Sequence, residues 1–338
     1  MPHRRRILAR LLLGSALTGI FMWLFLREAD FADALRGMSA VPAWAVVAAV
    51  ALFLPNVALM TVRWRLLLGG TGRPASTRTL LSAVCVGRAM NNVLPFRGGD
   101  DLRVSAMRDA AYVPSFVVVG TLFAERLLDG LVIAALIVVG AVSVGEGGAI
   151  LYTGVALAAG ALAGGVLVGL AARHPDGAEQ LVWRRTSRLR PRWHTRVARA
   201  TAHFVEGLGA FVVRRRFVLM AAATLGMWLA DAGMYAIVGR GFGLGVGLGG
   251  YLLLAGIGSL ALAVPATAAG LGTFDFLTLT AAKAIDVPTD VAASYVFVMH
   301  ALVVVPATVA GALFASPKLG RLLRGQEARG LEERTASR

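Results

Sequence analysis

Six apolar runs, bounded by charged or turn-forming residues, cover Ile7 to Leu26, Pro42 to Val62, Ser115 to Val144, Ala149 to Ala172, Phe217 to Gly239 and Val291 to Ala315. Each approaches or exceeds the roughly 20 residues that cross a bilayer core. Two further apolar segments are interrupted. Thr79 to Pro95 carries Arg88, Asn91 and Asn92, and Val246 to Ile285 is broken by Pro265 and by the glycines at Gly270 and Gly272. The pattern predicts an all-α polytopic membrane protein with about six full spans plus two broken or re-entrant hairpins. Asp286 and Pro288 suit the start of the last span as N-cap and first-turn proline. The first run follows Arg4, Arg5 and Arg6 but is too long for a signal-peptide core, so it reads as a retained transmembrane helix.

Arginines orient the spans, because basic residues in short loops mark the cytoplasmic side. Four lie at the N-terminus, four follow the second span (Arg63, Arg65, Arg73, Arg78), eleven fall between Arg173 and Arg216, and six basic residues close the chain from Lys318. The loop from Gly145 to Gly148 has none and should face outside. If residues 63–78 and 173–216 are both inside, the two spans between them already complete the count. Thr79 to Pro95 should then enter from the cytoplasm and return. The same count makes residues 246–285 begin and end outside, as a re-entrant hairpin or as two short crossings. The halves, about 27–172 and 217–317, thus share a plan in opposite orientation, an inverted repeat such as transporters use. A basic cytoplasmic loop (173–216) joins them, and a basic cytoplasmic tail (318–338) follows the single transmembrane domain of residues 1–317.

Composition narrows the chemistry. The chain is 57% hydrophobic with a net charge of +15 and a mean hydropathy of +0.71. In a membrane protein that charge is met by anionic lipid headgroups, and no nucleic-acid module accompanies it. Cys85 is the sole cysteine, which leaves no disulfide framework and no thiolate metal cluster. Gly239 to Gly250 is glycine-rich but lacks the strand-turn-helix setting of a dinucleotide loop, and no H-E-x-x-H, hydrolase G-x-S-x-G or P-loop occurs. No cofactor, metal or catalytic residue is expected.

The polar residues inside the apolar pattern are the candidate site, since ionisable groups at membrane depth need partners or a water-filled cavity. Asn91-Asn92-Val-Leu-Pro95-Phe-Arg97-Gly98-Gly99-Asp100-Asp101-Leu-Arg103 carries most of them. Where a helix restarts after the glycines, free N–H groups and the forks of Arg97 and Arg103 suit a phosphate diester, with the aspartates orienting the arginines. Arg88 in the first hairpin needs a carboxylate, carbonyls or a lipid phosphate. Within the third span, Arg126 can pair with Asp129 or with Asp100, leaving Glu125 as a candidate proton or cation site. Asp231 stands near the middle of its span, with Trp228 and Tyr235 around it. His300 in the last span reads as a hydrogen-bonded packing residue.

In order, Asn92 to Arg103, then Glu125-Arg126-Leu-Leu-Asp129, then Val264-Pro265 through Gly270-Leu-Gly272-Thr-Phe-Asp275 resemble the flippase-like transmembrane domain of bacterial lysylphosphatidylglycerol synthetases and its stand-alone relatives. The resemblance spans roughly residues 7 to 315. It implies an inner-membrane protein with cytoplasmic termini that moves phospholipid, or an aminoacylated or polyprenyl-linked lipid, between leaflets. The family commonly has Glu where Asp275 stands. Its aminoacyl-transferring synthase is a separate soluble domain, for which the tail after Lys318 is too short. A stand-alone transport protein is therefore expected, rather than an enzyme, served by a separately encoded lipid-modifying enzyme.

On this reading Arg97 and Arg103 grip the lipid phosphate. Arg88, Asn92 and the Arg126–Asp129 pair line the path, and Glu125, Asp100, Asp231 and Asp275 meet a cationic headgroup, a coupled ion or the arginines. Pro95, Gly98, Gly99, Pro265, Gly270 and Gly272 shape the hairpins. A polyprenyl-phosphate-dependent glycosyltransferase or related lipid-modifying enzyme is the alternative; it would depend on the outer-loop acids Glu28, Asp30 and Asp33.

Overall fold

The computed structural model describes the backbone of residues 2–28, 36–73, 75–94, 97–186, 191–263 and 268–336, and side chains within 14–315, Ala40 and Ala268 excepted. The described residues form helices and turns without a strand. The first half contains α1 (Pro2–Glu28), α2 (Ala43–Gly69), α3 (Thr77–Val93), α4 (Gly98–Ala111), α5 (Ser115–Val144) and α6 (Gly148–Arg173). Then come α7 (Pro175–Thr186), α8 (Pro191–Gly207), α9 (Arg214–Gly241), α10 (Leu248–Ala263), α11 (Thr273–Ala284) and α12 (Thr289–Ala336). Helices α2, α5, α6, α9 and the Thr289–Ala315 portion of α12 are long and apolar enough to cross a membrane. The N-terminal helix α1, 27 residues long, covers the remaining apolar run of the sequence pattern, Ile7 to Leu26.

The interrupted segments become pairs of short helices. At about 1.5 Å per residue, α3 and α10 are roughly 25 Å long and α4 and α11 roughly 20 Å, all below a bilayer core of about 30 Å. In each pair the two helices pack on each other. Ser76 caps α3 by accepting the Thr79 N–H at 3.1 Å. At α11 the Asp275 carboxylate reaches back to the Gly272 N–H at 2.9 Å. Pro95 and Pro265 lie outside the described residues.

An exchange of partners relates the halves. Helices α2 and α9 lie antiparallel along their length, with Gly233 against Leu52 and Gly226 against Leu59. Helix α5 packs on α10, the first arm of the other half's hairpin, and α12 packs on α3 in the corresponding way. Helices α4 and α11 each pack on the span that follows them. A pseudo-two-fold axis between α2 and α9 therefore maps α2–α5 onto α9–α12, and because it reverses the direction of α2, the repeat is inverted. Both exchanged contacts are close. A Cβ on Gly140 would sit 2.5 Å from the Leu253 nitrogen, and one on Gly311 would sit 2.2 Å from the Ala89 Cβ.

Each half keeps its own core, around Trp64, Leu67, Met107 and Val117 in one and around Tyr235, Tyr251, Phe274 and Tyr295 in the other. Helix α6 stays mostly uncovered, with Tyr152, Val166 and Leu167 exposed, as suits a lipid-facing surface.

Two expectations are corrected and a third gains detail. The second span does not end at Val62; α2 continues to Gly69 with Arg63 and Trp64 buried, because Arg63 is neutralised inside the bundle. The connecting stretch 173–216 contains a helical pair, α7 and α8, and α8 packs on α5. Asp286 does not cap the last span. It takes a left-handed φ of 61°, and α12 begins at Thr289 with the Pro288 carbonyl accepting from the Ala292 N–H at 2.8 Å.

Candidate functional site

Both arms of the first short-helix pair and, from the other half, α10 with the turn at Ala269 and Gly270 converge on a cavity of about 710 Å³, walled also by α2, α5, α6, α9 and α12. Four arginines line it: Arg88, Arg97, Arg103 and Arg126. Four aspartates face them: Asp100, Asp101, Asp129 and Asp231. Asn92 also lines the cavity, tied to α12 by donating to the Val304 carbonyl at 3.2 Å and to Thr308 at 3.1 Å.

Local sequence builds the α4 end of the cavity. Arg97 adopts a left-handed φ of 57° as the N-cap of α4, a conformation reached at some cost by a residue with a Cβ. The Gly99 N–H donates to the Asn91 side-chain oxygen at 2.8 Å, and the Asn91 amide donates to Asp100 at 3.3 Å. One side chain of α3 thus satisfies the first turn of α4 and braces its acid. Arg97 approaches Asp100 at 3.6 Å, and Arg126 donates to the same carboxylate at 2.9 Å. Both arginines remain about a third exposed, so their forks are turned to the cavity while Asp100 holds them from behind.

Beside this lies a buried layer of charge. Arg103 donates both arms of its fork to Glu125, at 2.9 and 3.1 Å, and its guanidinium stacks 4.0 Å from the Trp64 ring centroid. Asp129 receives Arg63 and the Trp228 indole N–H at 3.1 Å, with Arg126 at 3.8 Å. Each of these carboxylates has its own guanidinium, the condition for charge at membrane depth. Of the two partners open to Arg126, Asp100 makes the shorter contact. Glu125, which the spacing along α5 left unpaired, is fully engaged.

Arg88 and Asp231 occupy the opposite wall. Arg88 donates to the Asn56 side-chain amide oxygen, Oδ1, at 2.6 Å, and the Asn56 side-chain N–H₂ donates to Asp231 at 2.8 Å. One amide therefore stands between a cation and an anion, and no ion pair reaches either group among the described residues.

The second half repeats the first with other chemistry. Asp275 is the third residue of α11, as Asp100 is the third of α4. His300 is the twelfth residue of α12, as Arg126 is of α5. His300 Nδ1 meets Asp275 at 2.7 Å and Nε2 meets the Ala269 carbonyl at 3.0 Å. Ala269, like Arg97, has a left-handed φ, here 54°. Asp275 is wholly buried and sits behind the cavity wall rather than on it. Gly270 lines the cavity, whereas Gly272, with a φ of 79°, packs on α1. Gly98 and Gly99 open α4.

Sequence reasoning missed Arg63, Trp64 and Asn56. Arg63 was legible as an interior residue from Leu66-Leu67-Leu68 after it, which carry the apolar pattern past the charge. Asn56 gave no comparable signal. Glu28 lies away from the cavity, paired with Lys283 at 2.7 Å; Asp30 and Asp33 lie outside the described residues. No group of three or more His, Cys, Asp or Glu side chains gathers as a metal site among the described residues.

No curated protein matches this chain. The family model described as the lysylphosphatidylglycerol synthase TM region matches residues 11–311, which contain both hairpins and every residue of the cavity, and ties the chain to the membrane and its lipids. The protein belongs to that family.

Proposed function

We propose that this protein is a lipid translocase of the bacterial inner membrane, carrying phospholipid or an aminoacylated or polyprenyl-linked lipid between leaflets with both termini cytoplasmic. The observation that carries this reading is the cavity between the two hairpins, with Arg88, Arg97 and Arg126 in its lining beside apolar side chains such as Leu52, Leu260 and Val303. Arg88, Arg97 and Arg126 contact the headgroup phosphate, since Arg103 is committed to Glu125. The headgroup crosses through the cavity while the acyl chains stay in lipid. The chain carries no nucleotide-binding motif, so movement is passive or coupled to a gradient.

Vesicles reconstituted with the protein and a fluorescent phospholipid test this directly. Expected is transbilayer movement well above that of protein-free vesicles, falling at least about tenfold in Arg88→Ala/Arg97→Ala, as loss of charge-assisted hydrogen bonds implies. Rates equal to those of empty vesicles for anionic, aminoacylated and polyprenyl lipids alike would sink the reading.

The same reading makes α3–α4 a re-entrant hairpin from the cytoplasmic side. Cys85 is buried, so single reporters are clean. Gly98→Cys, at the turn of the hairpin, and Glu146→Cys should label from opposite sides of the membrane, and labelling from the same side refutes the re-entrant path.

A further inference from the structure

We propose that Asp231 takes up a proton when a monoanionic phosphodiester headgroup enters the cavity, so that proton and anion are bound together. The inference rests on the translocase reading above and adds to it the identity of the coupled ion and the residue that holds it.

Charge balance is the first support. The cavity lining carries four guanidiniums and four carboxylates, and the buried layer behind it adds Arg63 and Glu125, one of each sign. The walls are therefore neutral before any lipid arrives. An anionic phosphate entering alone would leave an uncompensated negative charge in a space of low dielectric, which is costly. A companion positive charge removes that cost.

Geometry selects where the companion binds. Asp100 is held by Arg126 and Arg97, Asp129 by Arg63 and Arg126, and Glu125 by Arg103. Asp101 is exposed at the mouth. Asp231 differs from all of these. Its Oδ1 accepts from the Asn56 amide, and among the described residues no donor reaches its Oδ2. Arg88 fixes the direction of that amide by donating to its oxygen, so Asn56 presents only its N–H₂ side to Asp231. The free Oδ2 is the place for a proton.

Among the described residues, the other acids and bases around Asp231 are already engaged. From α2 it meets Asn56 with Arg63 deeper along the helix, from α3 Arg88, and from α5 Asp129 beyond Trp228. Its own helix supplies Tyr235, α10 supplies Ser259, and Tyr295 of α12 is turned to the Tyr235 carbonyl. The His300–Asp275 pair stands behind Ala269, with the His300 ring nitrogens engaged by Asp275 and by the Ala269 carbonyl. Arg88, one amide away from Asp231, gives the anion its cation. Filling the site thus places phosphate on Arg88 and a proton on Asp231, with Asn56 linking the two.

Proton uptake on ligand binding reads this out. Purified full-length protein in weakly buffered detergent, with an indicator dye, is titrated with dihexanoyl phosphatidylglycerol, and binding is followed in parallel by calorimetry. The wild type is expected to take up about one proton per bound lipid and Asp231→Asn about none at saturating lipid, with Asp231→Glu restoring uptake as a check on folding. Binding without proton uptake in the wild type, or equal uptake in Asp231→Asn, overturns this proposal alone and leaves the translocase reading standing. No binding of any lipid overturns both. Inorganic phosphate forms the second arm: uptake with phosphate but none with the lipid would assign the site to a free anion and reject the proposal.

Discussion

Glu125→Leu is expected to cost about 3–5 kcal/mol of stability, the range for removing one partner of a buried ion pair. The substitution leaves the Arg103 fork with neither of its acceptors, in a position 4% exposed, and strips Arg63 of a neighbouring charge at 3.9 Å. Thermal unfolding in detergent checks it. The informative comparison is Arg103→Met/Glu125→Leu, which removes both charges and keeps similar volume against Trp64; it should regain most of the loss, because two buried charges no longer need solvation. A single variant that unfolds at the wild-type midpoint would show that the pair is hydrated in the membrane protein. A double variant no better than the single would mean that the pair is needed to position α4 on α5.

Gly99→Ala is expected to separate the two arms of the first hairpin, while Gly98→Ala next to it should be almost silent. A Cβ on Gly99 would lie 1.9 Å from the Gly87 carbonyl oxygen and 2.8 Å from the Asn91 nitrogen, both backbone atoms of α3. Neither can move unless the hairpin opens, so the cost should reach or exceed about 3 kcal/mol, the upper end for overpacking. Opening also breaks the bond from the Gly99 N–H to Asn91 and with it the brace on Asp100, so lipid movement should fall with stability. A Cβ on Gly98 meets only the Leu94 side chain, at 2.9 and 3.0 Å, and Leu94 is exposed and free to turn. Equal unfolding midpoints for the two variants would contradict the close approach of α3 and α4.

The spans were legible in the sequence because burial in lipid needs only a long apolar run, and such runs end where charge begins. That rule failed at Arg63, where the charge is neutralised by a partner 66 residues away that no local pattern reveals. Between Arg173 and Arg216 the polar pattern reads as a connection between spans without showing the helical pair within it. In the candidate site, the pairing of Arg126 with Asp100 was one of two alternatives. The bidentate bond between Arg103 and Glu125 was not foreseen, since spacing along α5 shows which groups share a helix face but not which side chain of α4 descends between them. The correspondence of the halves was faint for a related reason. The backbone repeats, with left-handed residues at Arg97 and Ala269, but an arginine in one half is a histidine in the other.

The exchange of partners between the halves also sets a timetable for biosynthesis. Helix α3 finds its main packing surface on α12, which begins at Thr289, whereas α3 ends at Val93. At roughly 5–20 residues per second, the ribosome delivers that surface about 10–40 s after the hairpin itself. Throughout that interval Arg88, Asn91 and Asn92 stand in or beside the membrane with Asn56 and Asp100 as partners, but without the α12 carbonyl and hydroxyl that finally receive Asn92. A chain stopped before Thr289 therefore lacks the acceptors of the Asn92 amide and the surface on which α3 packs.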